Sequence, residues 1–127
     1  MARTIDEILE EARRGLARIG PLDAARAVDA GALLVDIRPI EQRARDGGVA
    51  GALVIDRNVL EWRLDPASPH RIVEAAVRDR RIIVMCNEGY ASSLAAATLC
   101  ELGLDATDLD GGFQGWIAAG LPIAPPT

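Results

Sequence analysis

Arg81-Ile82-Ile83-Val84-Met85-Cys86-Asn87-Glu88-Gly89-Tyr90-Ala91-Ser92 is the stretch on which the reading of the fold turns. Arg81 to Met85 is a short, continuous apolar run, as expected of a strand buried on both faces in a parallel sheet. A polar, glycine-bearing loop follows. From Ser92 to Leu102 the chain is alanine-rich and predicts a helix, which Gly103 stops. Cys86 therefore stands between a strand end and a helix start. A loop in that position curls around the side chain and points successive main-chain N–H groups at the sulfur, and the helix adds its positive dipole end. Both effects favour a sulfur anion, a helix terminus contributing roughly 0.3–1 kcal/mol. Gly89 permits the tight backbone the cradle requires, and Ser92 and Ser93 are placed to cap the helix or bond the loop.

The same strand pattern recurs on both sides of this stretch. Leu33-Leu34-Val35-Asp36 and Ala52-Leu53-Val54-Ile55 predict two earlier strands, and Ala106 to Leu109 a weaker last one. Helices are predicted over Ile5 to Ile19, with a Thr4–Glu7 capping box, over Leu22 to Ala30, over Pro69 to Arg78 and over Gly112 to Ala119. Alternation of strands and helices implies a parallel sheet covered on both faces. In such sheets chemistry sits beyond the carboxyl ends of the strands, which singles out Asp36-Ile37-Arg38 and the Cys86 loop.

The bulk composition agrees with one domain of 127 residues that is half apolar and short of aromatics: Phe113, Tyr90, Trp62 and Trp116 are all it has. A net charge of −5 argues against a nucleic-acid partner. All fourteen cationic residues are arginine, which excludes lysine Schiff-base chemistry. The charged N-terminus shows no leader, and no apolar run suits a membrane span. Cys86 and Cys100 form neither a CxxC pair nor a zinc pattern, and a cytoplasmic protein with reduced thiols is expected. Cys100, mid-helix, reads as structural. His70 lies far in sequence from Cys86, and no Cys–His dyad is expected. No cluster offers three metal ligands, and nothing asks for a cofactor.

Taken together, several segments resemble the rhodanese family. Asp36-Ile37-Arg38 with Glu41 is similar to its Asp-x-Arg…Glu segment, and Gly47-Gly48-Val49-Ala50-Gly51-Ala52 resembles its Gly-His-Ile-Pro-Gly-Ala segment without the histidine and proline. Cys86-Asn87-Glu88-Gly89 falls where the family's active-site loop belongs, and Leu102-Gly103-Leu104 where the following helix ends. Asp110-Gly111-Gly112-Phe113 through Trp116 and Ala119-Gly120-Leu121-Pro122 resembles its C-terminal signature. The likeness runs over roughly residues 19 to 123. It sets residues 1–17 apart as an N-terminal helical extension of a domain over 18–127.

The resemblance implies a three-layer α/β fold, a five-stranded parallel sheet with helices on both faces. It implies a thiosulfate-type sulfurtransferase that carries sulfane sulfur as a persulfide on Cys86. Asn87, Glu88, Gly89, Tyr90, Ala91 and Ser92 would form the active loop, and Asp36 and Arg38 would support it. The donor would be a small sulfur compound or a persulfide-bearing protein, and the acceptor a thiol or cyanide. Two other functions stay open: a non-catalytic binding or regulatory module, and a phosphatase or arsenate reductase with a related loop. The latter needs a guanidinium around a tetrahedral oxyanion, and neither Ala91 nor Ser92 supplies one.

This loop departs from the thiosulfate-using pattern in having no cation and in carrying Glu88. A carboxylate about 5 Å from an anionic donor costs roughly 1–3 kcal/mol at effective dielectrics of about 80 to 20. Arg57-Asn58-Val59-Leu60-Glu61-Trp62-Arg63, the loop after the Ala52–Ile55 strand, is expected at the same sheet edge. From there Arg57 or Arg63 would reach the pocket; the alternative is a pair of solvated arginines, with Trp62 over the core.

Overall fold

The structure is a computed structural model that describes residues 2–76 and 79–126. Ten regular elements follow one another: α1 (Ile5–Arg14), α2 (Pro21–Asp29), β1 (Leu33–Asp36), α3 (Ile40–Asp46), β2 (Leu53–Val54), α4 (Leu60–Leu64), β3 (Ile82–Met85), α5 (Ala91–Glu101), β4 (Ala106–Asp108) and α6 (Gly112–Ala118). Short 3-10 turns at Arg57–Val59 and Val73–Ala76 complete the set.

All strand pairings are parallel, in the order β2-β1-β3-β4. The chain leaves β1 in one direction to make β2 and returns on its other side to make β3. The strand order therefore reverses between β1 and β3, and the crevice beyond their carboxyl ends is where an open α/β sheet binds ligands. The register Asp36↔Met85 brings Ile37-Arg38 beside Cys86 at that crevice.

Alternate strand residues feed two cores. Leu33, Val35, Ile82 and Val84 pack with Leu60, Leu64, Ala95 and Leu99 under α4 and α5. Leu34, Ile83 and Met85 pack with Ala24, Phe113 and Trp116 under α2 and α6. Helix α1 lies outside α5 and buries Leu9. The expected three layers are present.

Four expectations need correction. Among the described residues the sheet has four strands, not five. The missing edge strand shrinks to a single parallel bridge between Ile19 and Leu109, made by Ile19 N–H to Asp108 O (3.2 Å) and Asp110 N–H to Ile19 O (2.8 Å). Pro21, without an N–H, opens α2 two residues later and ends the ladder. Helix α1 stops at Arg14 rather than Ile19, capped at Gly15, although the Thr4–Glu7 capping box forms as expected. The stretch from Arg57 to Arg63 is a 3-10 turn running into α4, not a loop. Lastly, no helix runs from Pro69 through Ala76. Ser68 Oγ takes the N–H of His70 as a helix cap would, but Ile72 N–H, which should donate to Ser68 O, goes to Arg63 O, so the i→i−4 ladder cannot start. Arg78, where that helix was expected to end, lies outside the described residues.

Candidate active site

Cys86 leaves β3 almost buried, at 8% exposure. Its Sγ accepts the N–H of Gly89 (3.1 Å) and the N–H of Ser92 (3.4 Å), and its thiol faces Ser92 Oγ (3.3 Å). Ser92 lies in the first turn of α5, so the positive helix end sits against the sulfur. Gly89 has φ +94°, a left-handed conformation that other residues adopt at a cost. Its neighbours also crowd the position, since an added Cβ would stand 3.0 Å from Gly111 N and 3.1 Å from an Arg18 nitrogen and would need both to give way slightly.

The back of the loop rests on the start of α6. Phe113 N–H donates to Cys86 O (2.9 Å), Gln114 N–H to Asn87 O (3.0 Å), and Gln114 Nε2 to Asn87 Oδ1 (3.0 Å). This approach is why Gly112 is glycine: at φ +59° an added Cβ would meet Cys86 O at 2.6 Å and Asn87 C and O at 2.7 Å. The Gly111-Gly112 pair is thus a tight turn that lets α6 hold two carbonyls of the cysteine loop.

Beneath the loop lies a polar cluster that the sequence reading missed. Asp108, fully buried at the end of β4, accepts the hydroxyls of Ser92 (2.7 Å) and Ser93 (2.8 Å). Arg18 binds the same carboxylate through Nε (3.0 Å). Burial works against the Arg18 charge, but the hydrogen bond to Asp108 and the nearby charges of Asp108, Asp110 and Cys86 prevail, raising its pKa above the ordinary arginine value. Arg13, near the end of α1, donates to Ser93 Oγ (3.0 Å) and to Gly89 O (2.8 Å), and Arg18 reaches the same carbonyl (2.8 Å). The only sequence signal was an acid inside a strand whose other positions are apolar or small.

A pocket of about 410 Å³ opens over the sulfur. Cys86, Asn87, Glu88, Tyr90 and Ala91 line one side, and Ile37, Arg38, Pro39, Gln42 and Arg57 the other. Glu88, Tyr90 and Ala91 are exposed at its rim. The two sequence-predicted arginines separate here. Arg57 lines the pocket, held by Glu61 at 2.8 and 3.0 Å. Arg63 does not: it donates to His70 O (3.1 Å) and borders a separate groove beside β2. Trp62, expected over the core if the arginines were solvated, is 58% exposed.

Asp36 and Arg38 form a buried ion pair (2.7 Å), and Arg38 also donates to Gly47 O (2.7 Å). Their direct bonds therefore hold the turn at Gly47 rather than the cysteine loop. The support is indirect: the Arg38 guanidinium lies 3.9 Å from the centre of the Phe113 ring, and Phe113 N–H holds Cys86 O. His70 is exposed and away from the pocket, and Cys100 Sγ faces Ala106 O from the last turn of α5 (3.2 Å). Among the described residues, no three His, Cys, Asp or Glu side chains gather as metal ligands, and no helix is long and apolar enough to cross a membrane.

A cysteine cradled by main-chain N–H groups at the switch point of a parallel sheet narrows the choice of family, and the sequence decides it: residues 21–119 match the rhodanese-like domain. The chain belongs to that family. Thiosulfate sulfurtransferase GlpE of Stutzerimonas stutzeri is 35% identical over 100 residues, covering 78% of this chain and 83% of the relative. GlpE of Pseudomonas fluorescens is 36% identical over 101 residues, with the same coverage. Among solved structures, a protein of unknown function from Rhodopseudomonas palustris, described as a possible tyrosine phosphatase, superposes with a TM-score of 0.89 at 32% identity. That match covers 98% of this chain and 96% of the other. A rhodanese-related protein of Thermoplasma volcanium follows with a TM-score of 0.68 at 26% identity, over 84% and 96%.

Proposed function

We propose that this rhodanese-like domain is a sulfurtransferase that carries sulfane sulfur as a persulfide on Cys86. The observation that carries the reading is the sulfur itself: it faces a pocket of about 410 Å³ while two main-chain N–H groups point at it. These donors are fixed before reaction and aimed at the atom that bears negative charge as thiolate and, one atom further out, as persulfide. The thiolate attacks the outer sulfur of a donor such as thiosulfate. The donor's S–S bond breaks, sulfite leaves with the electron pair, and the Sγ–S bond forms. Cyanide or a thiol then attacks the outer sulfur of the persulfide, and the Cys86 thiolate is restored. No cofactor enters either step. The naming of the GlpE relatives as thiosulfate sulfurtransferases supports the same chemistry.

Arg57 is the cation best placed to offset Glu88 toward an anionic donor, since both line the pocket. A persulfide-bearing protein is the other donor class the open rim admits. The Rhodopseudomonas likeness favours a second reading, phosphate-ester hydrolysis. Against it stands a loop without a guanidinium to surround a tetrahedral oxyanion.

Intact-mass measurement after incubation with thiosulfate or polysulfide tests the proposal. The protein should gain one sulfur atom, Cys86→Ser should gain none, and Cys100→Ser should behave as wild type. Absence of the adduct with every donor, together with turnover of an aryl phosphate, would favour the hydrolase instead.

A further inference from the structure

The residue that gives its N–H to Cys86 Sγ at 3.1 Å is also the loop's softest point: Gly89 has no side chain to hold it in its left-handed conformation. What holds it comes from outside the loop. Its carbonyl accepts Arg13 Nη2 and Arg18 Nη2, both at 2.8 Å, and so has a guanidinium for each of its two lone pairs. Two cations on one oxygen would repel each other without a shared counter-charge, and buried Asp108 provides it. Arg18 bonds that carboxylate directly, and Arg13 reaches it through Ser93 Oγ. The Arg13 guanidinium also lies 5.6 Å from the centre of the Tyr90 ring. Because the peptide unit is planar and trans, pinning the Gly89 carbonyl turns the Tyr90 N–H away from the arginines and fixes the orientation of the backbone next to the sulfur donors.

We infer that Arg13 and Arg18 are positioning residues for sulfur transfer, a clamp on Gly89 O that sets the N–H cradle of Cys86. The inference rests on the persulfide reading above and adds residues to it. Neither arginine lines the pocket, so neither is placed to touch a donor. Both precede residue 21, where the family match begins, and Arg13 stands on α1, the segment the sequence set apart as an extension. The extension therefore completes the site. The Rhodopseudomonas structure, which covers 98% of this chain, shares most of it.

Arg13 is the residue to replace, because Arg18 also balances buried Asp108 and its loss would unsettle the core. The full chain is compared as wild type, Arg13→Ala, Arg13→Lys and Arg14→Ala. Arg14 is the control: it is exposed on the same helix and, among the described residues, its ion pair is with Glu10. The readouts are kcat and KM for thiosulfate with cyanide, and amide hydrogen exchange over residues 87–92. Arg13→Ala should keep a cooperative thermal transition, lose about tenfold in kcat with KM changed less than about twofold, and exchange faster in the loop. Arg13→Lys should recover part of the rate, and Arg14→Ala should match wild type. Wild-type kcat or wild-type loop exchange in Arg13→Ala overturns the clamp. Should Arg13→Ala not fold, Arg13→Gln is read in the same way. If the wild type takes sulfur from no donor, the persulfide reading fails, and loop exchange alone decides the clamp.

Discussion

Gly112→Ala should damage both stability and sulfur transfer, and the structure sets the size of the effect. At φ +59° an alanine pays roughly 1–2 kcal/mol for the left-handed backbone. Its Cβ would also stand 2.6 Å from Cys86 O and 2.7 Å from Asn87 C and O, all main-chain atoms with no rotamer to escape through. Relieving that overlap by backbone movement costs a further ~1–3 kcal/mol. It also pulls apart the bonds from Phe113 N–H and Gln114 N–H, which measure 2.9 and 3.0 Å. A total destabilisation of about 2–5 kcal/mol is expected, each kcal/mol lowering Tm by roughly 3–5 °C in a domain of this size. Denaturant unfolding with an unchanged m-value measures the first part, and the rate of persulfide formation on the folded fraction the second. Gly115→Ala serves as the contrast: it sits in α6, its φ is not positive, and its Cβ would meet only Asp110 O at 3.4 Å and Pro21 Cγ at 3.7 Å. It should stay within about 1 kcal/mol of wild type. If Gly112→Ala unfolds and transfers sulfur like Gly115→Ala, the claim that α6 holds the cysteine loop by close approach is wrong.

Arg57→Ala should raise the KM for thiosulfate by about two- to tenfold, because the charge it removes is only partly offset by Glu61. The increase should shrink in high salt. Arg63→Ala should leave KM unchanged, and an equal effect of both would show that the charge acts at long range rather than in the pocket. Glu7 is held below the ordinary glutamate value by the Thr4 main-chain N–H and then by the Thr4 hydroxyl. Its contribution to stability is therefore complete above the unfolded value, ~4.3, and fades as pH falls through the lowered native value. Glu7→Gln should flatten the acid limb of a Tm-against-pH curve; identical limbs would refute the linkage.

The reach of the sequence can be traced through particular residues. Ile82 to Met85 and Leu33 to Asp36 were legible because strands buried on both faces leave uninterrupted apolar runs, and Cys86 was legible because a strand end, a glycine loop and a helix start adjoin it. The helix expected from Pro69 failed because Arg63 O, distant in the chain, takes the N–H of Ile72 that the first helical turn needs. No periodicity reports such competition. The lost fifth strand is similar: one residue, Ile19, pairs before Gly20-Pro21 turns the chain into α2. Asp108 stayed hidden because its partners Ser92 and Arg18 lie 16 and 90 residues away in the chain. Charge and spacing separated neither Arg57 from Arg63 nor Arg13 from Arg14. Each pair is split by which way the fold turns it.

Cys100, within the last two residues of α5, faces Ala106 O, and Ala106 pairs with Ile82 at the opposite end of β3 from Cys86. Four residues of strand rise separate Ile82 from Cys86, about 13 Å. That is well beyond the ~7 Å between Cα atoms that a disulfide tolerates. The chain thus holds no resolving thiol: a persulfide on Cys86 has no internal partner to expel its outer sulfur. Its lifetime is set by whatever enters through the pocket. On the proposed persulfide chemistry the domain would be a one-cysteine relay whose discharge is timed by the acceptor, and in a thiol-poor medium it should store sulfur rather than release it.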